Sequence, residues 1–291
     1  MPVVESLPTA ALAATTALLL AVLMLWLAPW IWRIAVGAAV VGGYAAGFLH
    51  GPAALWLVVL TASAWRLRTS DGWRRAVWIT LTAALGLLLG LHALPGFSNP
   101  VILRDLVMAD GARTYSQYIN FDKTLAGILF LGCSGWTPIR STAEWNAALR
   151  RGAPIMCVTV VVAMAAALAI GSVRFDPRWP AVFAVWAPIN LLTTCLSEEA
   201  FFRGLLQHEG RRGLSRALGP RQAVAVAVAL SASLFGLAHL AGGWQYVVVA
   251  SLAGAGYAVV FQRTARLEMA ILTHFAINAT HFLLFTYPAL A

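Results

Sequence analysis

Seven stretches of this chain carry no charged side chain: residues 6–32, 34–65, 76–103, 152–173, 179–197, 222–262 and 269–291. A helix needs about 20 apolar residues to cross the hydrocarbon core of a bilayer, and each run reaches or nearly reaches that length. Inside lipid, every backbone N–H and C=O must be satisfied within the segment, which favours helices over isolated strands. The two longest runs read as helical pairs, broken at residues 48–52 (FLHGP) and 241–244 (AGGW). A shorter run, 124–139, is the weakest candidate because it holds Gly127, Gly132, Gly135 and Pro138. The expectation is an all-α, polytopic transmembrane bundle of about eight to ten spans.

Composition agrees: 60% of the residues are hydrophobic and 11% charged, against roughly 25% charged in a soluble domain. The first run lacks a basic flank, Glu5 being the only early charge, and is long for the apolar part of a signal peptide, so it reads as a retained helix. Cys133, Cys157 and Cys195 lie within or beside apolar runs and read as small buried residues rather than a disulfide set.

The net charge of +9 would suit nucleic acid, but its placement argues against that. Alternating the loops across a bilayer puts fifteen arginines on one side and only Arg104, Arg113, Lys123, Arg174 and Arg178 on the other. That asymmetry marks a cytoplasmic face, so no nucleic-acid partner is expected. Nineteen arginines to one lysine, with abundant alanine, suggest a GC-rich bacterial genome and therefore the bacterial inner membrane.

The chain changes character near residue 150. Residues 1–150 form spans rich in Leu, Ala and Trp, interrupted by a polar outer loop at 95–123 that reads as a solvated connector. Residues 151–291 carry polar groups at membrane depth: Asn190, Glu198, Glu199, Arg203, His239, His274, Asn278 and His281. Each ionisable group there costs roughly 2.5 to 3.5 kcal/mol even on permissive insertion scales, so a functional cavity is the natural explanation. Glu199 and Arg203 are four apart, a spacing that lets them pair on one helix face and leaves Glu198 facing elsewhere. Phe235 and His239, and His274 and Asn278, repeat that spacing on two later spans. A carboxylate with an imidazole can activate a water, while a second imidazole and a carboxamide can donate to an oxyanion. Those are the parts of peptide hydrolysis without a covalent enzyme intermediate. His281 continues the stripe without a defined role. His50 and His92 read as interfacial, and His208 with Glu209 as a cytoplasmic turn.

EEAFFR at 198–203, FGLAH at 235–239 and HFAIN at 274–278 resemble the EExxxR, FxxxH and HxxxN motifs of the CPBP family of intramembrane glutamic endopeptidases, which includes the CAAX prenyl endopeptidases. The resemblance covers about residues 179–286. It implies that Glu198, assisted by His239, activates the hydrolytic water and that His274 and Asn278 form the oxyanion hole. Glu199 and Arg203 would support that helix, and Phe235 would pack beside the cavity. The substrate would be a membrane-associated protein or peptide. A metal-free site is favoured, because no HExxH-type pairing is present; the alternative is zinc held by Glu198, His239 and His274. The competing class is a non-enzymatic transporter or scaffold that uses the same polar groups as an ion or proton path.

Overall fold

Glycine, proline and polar clusters set where the helices end. In the computed structural model, residues 7–291 are described, so Glu5 and the first residue of the opening apolar run lie outside the described part. Helices α1 (Thr9–Leu27) and α2 (Ile31–Ala45) form an antiparallel pair. The break expected at 48–52 separates α2 from α3 (Ala53–Thr69), and Asp71 precedes α4 (Gly72–Gly90). The polar loop that follows is not a plain connector. It folds as an antiparallel hairpin, β1 (Val101–Leu106) with β2 (Tyr115–Tyr118), its register broken between Val101, Leu103 and Leu106. Polar composition hid these strands, since only Val101–Leu103 is continuously apolar.

The weakest sequence candidate becomes the centre of the molecule. Helix α5 (Phe121–Ser134) is buried along nearly its whole length. Its 14 residues span about 21 Å, short of a bilayer core, so it is enclosed by protein rather than lipid. Its glycines make that enclosure work. A Cβ at Gly127 would lie 3.0 Å from the Ser197 Cα, and one at Gly132 only 2.4 Å from the Trp32 ring. Small residues at such crossings let helix backbones approach closely in membranes.

Helix α6 (Thr142–Ala169) opens on a cap in which Ser141 accepts from the Glu144 amide at 3.2 Å. A continuous helical segment, α7 (residues 183–214), follows. Within it, Asn190–Cys195 and Ala200–Gln207 are wound as π-helix, leaving Leu196–Glu199 as a short α stretch between two wide turns. Helices α8 (Pro220–Leu237), α9 (Trp244–Thr264) and α10 (Leu267–Leu284) complete the bundle. Five helices, α1, α6, α8, α9 and α10, are each long and apolar enough to cross a membrane. Large apolar residues such as Val41, Val58 and Val161 face outward, as lipid contact requires. The protein is an integral membrane protein of all-α, polytopic architecture.

The larger of two hydrophobic clusters runs through both regions of the chain, from Ala11 to Tyr287, and includes Leu125, Trp186, Leu196 and Leu267; the second holds Phe202, Phe235, Tyr257 and Met269. Ionic contacts cluster at one end of the bundle: Arg75 with Glu209 at 2.7 Å, Arg212 with Asp71 at 3.0 Å and Arg266 with Glu144 at 2.7 Å. At the opposite end Arg174 and Arg178 donate to the carbonyls of Asp110 and Met108. The C-terminal segment seals that end, with Arg113 donating its amide to Ala289. Lys123, expected with the outer cations, points instead into the interior.

Candidate active site

The short α stretch between the two wide turns of α7 carries Glu198 and Glu199. π-Turns are uncommon and concentrate at functional sites; here they bracket the acidic pair. The two carboxylates have separate partners. Glu199 is fully buried and its Oε1 accepts from Arg203 Nη1 at 3.2 Å and from His274 Nδ1 at 2.9 Å. Arg203, also fully buried, donates from Nη2 to the Gly254 carbonyl at 2.7 Å. Its guanidinium lies against the rings of Phe235 and Tyr257, 4.7 and 5.0 Å from their centroids. Taking two ions out of water costs several kcal/mol each, and only a well-formed pair with further hydrogen bonds offsets it. The Glu199–Arg203 pair has further hydrogen bonds to His274 and Gly254, with Glu199 Oε2 and Arg203 Nε left without a partner, and it ties α7 to α9 and α10. Gly254 matters to the fit: a Cβ there would sit 3.2 Å from Arg203 Nη2 and 3.1 Å from Phe235.

His274 is oriented by the same carboxylate. With Nδ1 facing Glu199, its Nε2 faces Glu198 Oε2 at 3.9 Å. Tyr257 stacks on the ring at 4.7 Å and 15°. Across Phe235 lies the second imidazole. The Phe235 ring touches His239 at 4.7 Å and His274 at 5.5 Å. The sequence placed Phe235 and His239 one turn apart on a single helix. In the structure α8 ends at Leu237 and His239 sits just beyond it, in the turn toward α9. The correction is local, because His239 Nδ1 donates to the Phe235 carbonyl at 2.7 Å. That bond commits Nδ1 as the donor and leaves Nε2 free for other chemistry.

Glu198 differs from its neighbour. It borders a cavity of about 120 Å³ that is also lined by His239, Lys123, Phe130, Phe201 and Leu205. Its Oε1 accepts from Lys123 Nζ at 3.0 Å. Helices α3 and α4 supply the far wall through Leu60, Gly86 and Leu87, with Leu91 just beyond the end of α4. Leu87 and Leu91 are exposed at the rim, as is Ala238 opposite.

Glu198, Glu199, Arg203, Phe235, His239 and His274 are therefore brought together. Asn278 lies one turn beyond His274 on α10 and is engaged elsewhere. Its Nδ2 donates to Asn190 Oδ1 at 3.1 Å, and Cys195 Sγ donates to the same oxygen at 3.2 Å. His281 turns away from the site, with Nε2 donating to the Thr286 carbonyl at 3.1 Å and the ring edge-on to Tyr287. The zinc alternative does not fit this arrangement: Glu198 is paired with an ammonium, and among the described residues no three His, Cys, Asp or Glu side chains converge as a ligand set. Sequence reasoning passed over Tyr257, counted Lys123 with the outer cations, and named Asn190 without joining it to Cys195. Lys123 had one signal available, as the only lysine in the chain.

The molecule thus belongs to the class of polytopic membrane proteins with a charged, protein-enclosed centre beside a cavity. Residues 179–280 match the family described as type II CAAX prenyl endopeptidase Rce1-like. That segment, about a third of the chain, is similar to the Rce1-like family, a CPBP family of CAAX-type proteases. All seven motif residues fall inside the matched segment and Lys123 falls outside it. No curated protein and no solved structure matches the chain.

Proposed function

We propose that the protein is an intramembrane glutamic endopeptidase that hydrolyses a peptide bond of a membrane-associated protein or peptide. The observation that carries this reading is the facing of Glu198 Oε2 and His274 Nε2 at 3.9 Å, beside the cavity that His239 also lines. That separation is too long for a direct hydrogen bond. A water touching both at about 2.8 Å would subtend about 90° at its oxygen, an ordinary water geometry. Glu198 would take a proton as the water oxygen attacks the carbonyl carbon. The same proton then passes to the leaving nitrogen as the C–N bond breaks.

His239, with Nε2 free, assists at the water, and His274, when it carries protons on both ring nitrogens, would donate from Nε2 with Asn278 to the developing oxyanion. One hydrogen of Asn278 Nδ2 is held by Asn190 at 3.1 Å and the other lies toward Cys195 Sγ at 3.6 Å, so donation to the oxyanion would require it to give up the sulfur contact. Glu199 and Arg203 fix the His274 ring. The exposed Leu87, Leu91 and Ala238 at the cavity rim suit lateral approach of an apolar substrate segment. The arginine bias favours a bacterial inner membrane, with residues 1–150 as the helical region that walls a core beginning near 151.

The test is to compare peptides released from membranes containing the wild-type protein or Glu198→Gln. The reading expects products that vanish with Glu198→Gln while the variant protein accumulates at normal levels and melts normally. Full cleavage by Glu198→Gln would sink it.

A further inference from the structure

The chain has one lysine against nineteen arginines, and that lysine is directed at the carboxylate assigned above as the base. Lys123 sits in the first turn of α5, and three features hold it there. The Asn99 side chain accepts from the Phe121 amide at 2.7 Å, fastening the start of the helix. Asp122, buried beside it, accepts from His92 Nδ1 at 2.6 Å, from Asn99 Nδ2 at 3.1 Å and from the Lys123 amide at 2.7 Å. One turn further, Gly127 lets α5 lie against α7 at Ser197, next to Glu198. Outer loop, helix start and helix crossing thus converge on where the ammonium falls.

The pair differs from the other ion pair at the site. Glu199 and Arg203 have side chains wholly removed from any surface, whereas Lys123 and Glu198 keep 15% and 19% exposure and both border the cavity. A tie between helices has no need to face the cavity. A charge that prepares a base must. Lysine also suits the place, being a compact point charge on a flexible stem, while arginine presents a broad planar fork.

We propose that Lys123, contributed from outside the family-matched segment, is a positioning residue for the reaction. It occupies Glu198 Oε1 with its ammonium, so that Oε2 is turned to the water and to His274. This rests on the reading of Glu198 as the base, and the experiment separates the two.

Lys123→Met, Lys123→Gln and Lys123→Arg would be purified in detergent beside the wild type and Glu198→Gln. They would be assayed on a synthetic peptide spanning a cleavage site recovered from the membrane comparison. Lys123→Met and Lys123→Gln should lose about 10²-fold in kcat, the order expected when a reacting group is misplaced by an ångström. KM and melting temperature should stay near wild type, and Lys123→Arg should restore part of kcat. A purely structural lysine would instead move melting and activity together, and its loss would not be a kcat effect. If Lys123→Met fails to fold, Lys123→Gln against Lys123→Arg decides the same question.

Acetylation with a water-soluble amine reagent, read by mass spectrometry, gives an answer independent of activity. Lys123 should be protected in the wild type and modified in Glu198→Gln. Wild-type kcat in Lys123→Met or Lys123→Gln, or equal modification of Lys123 in both proteins, overturns the inference. Full activity of Glu198→Gln overturns the function instead.

Discussion

Arg203→Met is the most informative perturbation of the buried centre. Methionine is unbranched and adaptable enough to fill the slot between Phe202, Phe235 and Tyr257, so the change removes charge more than volume. It deletes the 3.2 Å bond to Glu199 and the 2.7 Å bond to the Gly254 carbonyl. Glu199, fully buried, is left with His274 alone. Removing one partner of a buried pair costs about 3–5 kcal/mol, because the other charge is stranded. Removing both is a milder change: Glu199→Gln with Arg203→Met leaves an acceptor for His274 Nδ1, and its loss of the Gly254 bond, worth about 1.5–3 kcal/mol from a charged donor, is shared with the single variant. The double variant should therefore be more stable than Arg203→Met by about 2 kcal/mol or more. The assay is reversible unfolding in mixed micelles on titration with anionic detergent, followed by the fluorescence of the twelve tryptophans. A loss below about 1 kcal/mol in the single variant, or a double variant worse than the single one, would refute the claim that this pair locks α7, α9 and α10 together.

Other outcomes follow from specific contacts. Gly127→Ala puts a methyl 3.0 Å from the Ser197 Cα, and since backbone cannot yield as a side-chain tip can, it should cost about 1–3 kcal/mol. Peptide cleavage should fall by more than that stability loss explains, because α5 moves away from Glu198. Gly254→Ala crowds Phe235, Arg203 and the Ala232 carbonyl; unfolding titrations should show a loss of similar size, reduced but not abolished in Glu199→Gln/Arg203→Met, where Phe235 and the carbonyl remain. His281→Gln should keep cleavage within about threefold of wild type while shifting stability by about 1 kcal/mol, since the imidazole serves the Thr286 carbonyl. A tenfold loss of kcat in His281→Gln would return that residue to the site.

The catalytic candidates were legible because ionisable groups are costly in lipid: Glu198, Glu199, Arg203, His239 and His274 stood out against apolar runs, and motif spacing placed them in order. Helix breaks at residues 48–52 and 241–244 were legible for the same reason that Gly and Pro punctuate any helix. Three features were not. The wide turns of α7 have no residue signature, since i→i+5 bonding depends on how the neighbouring helices pack. The glycines of α5 weakened it as an isolated span, yet close packing needs those same glycines, and only the folded bundle shows which effect wins. Lys123 sits at the boundary of a polar loop, so charge counting assigned it to water. What redirects it is the Asn99–Asp122–His92 arrangement, which joins residues more than twenty positions apart in the chain.

The shortness of α5 has a further consequence for transplantation. A segment of 14 residues, roofed by α1, α3, α4 and α7, cannot be exchanged for a generic membrane anchor. Grafting residues 179–280 onto foreign leading helices would carry over the acids and imidazoles but lose the partition behind them. The interchangeable unit of this protein is therefore larger than the stretch its motifs define.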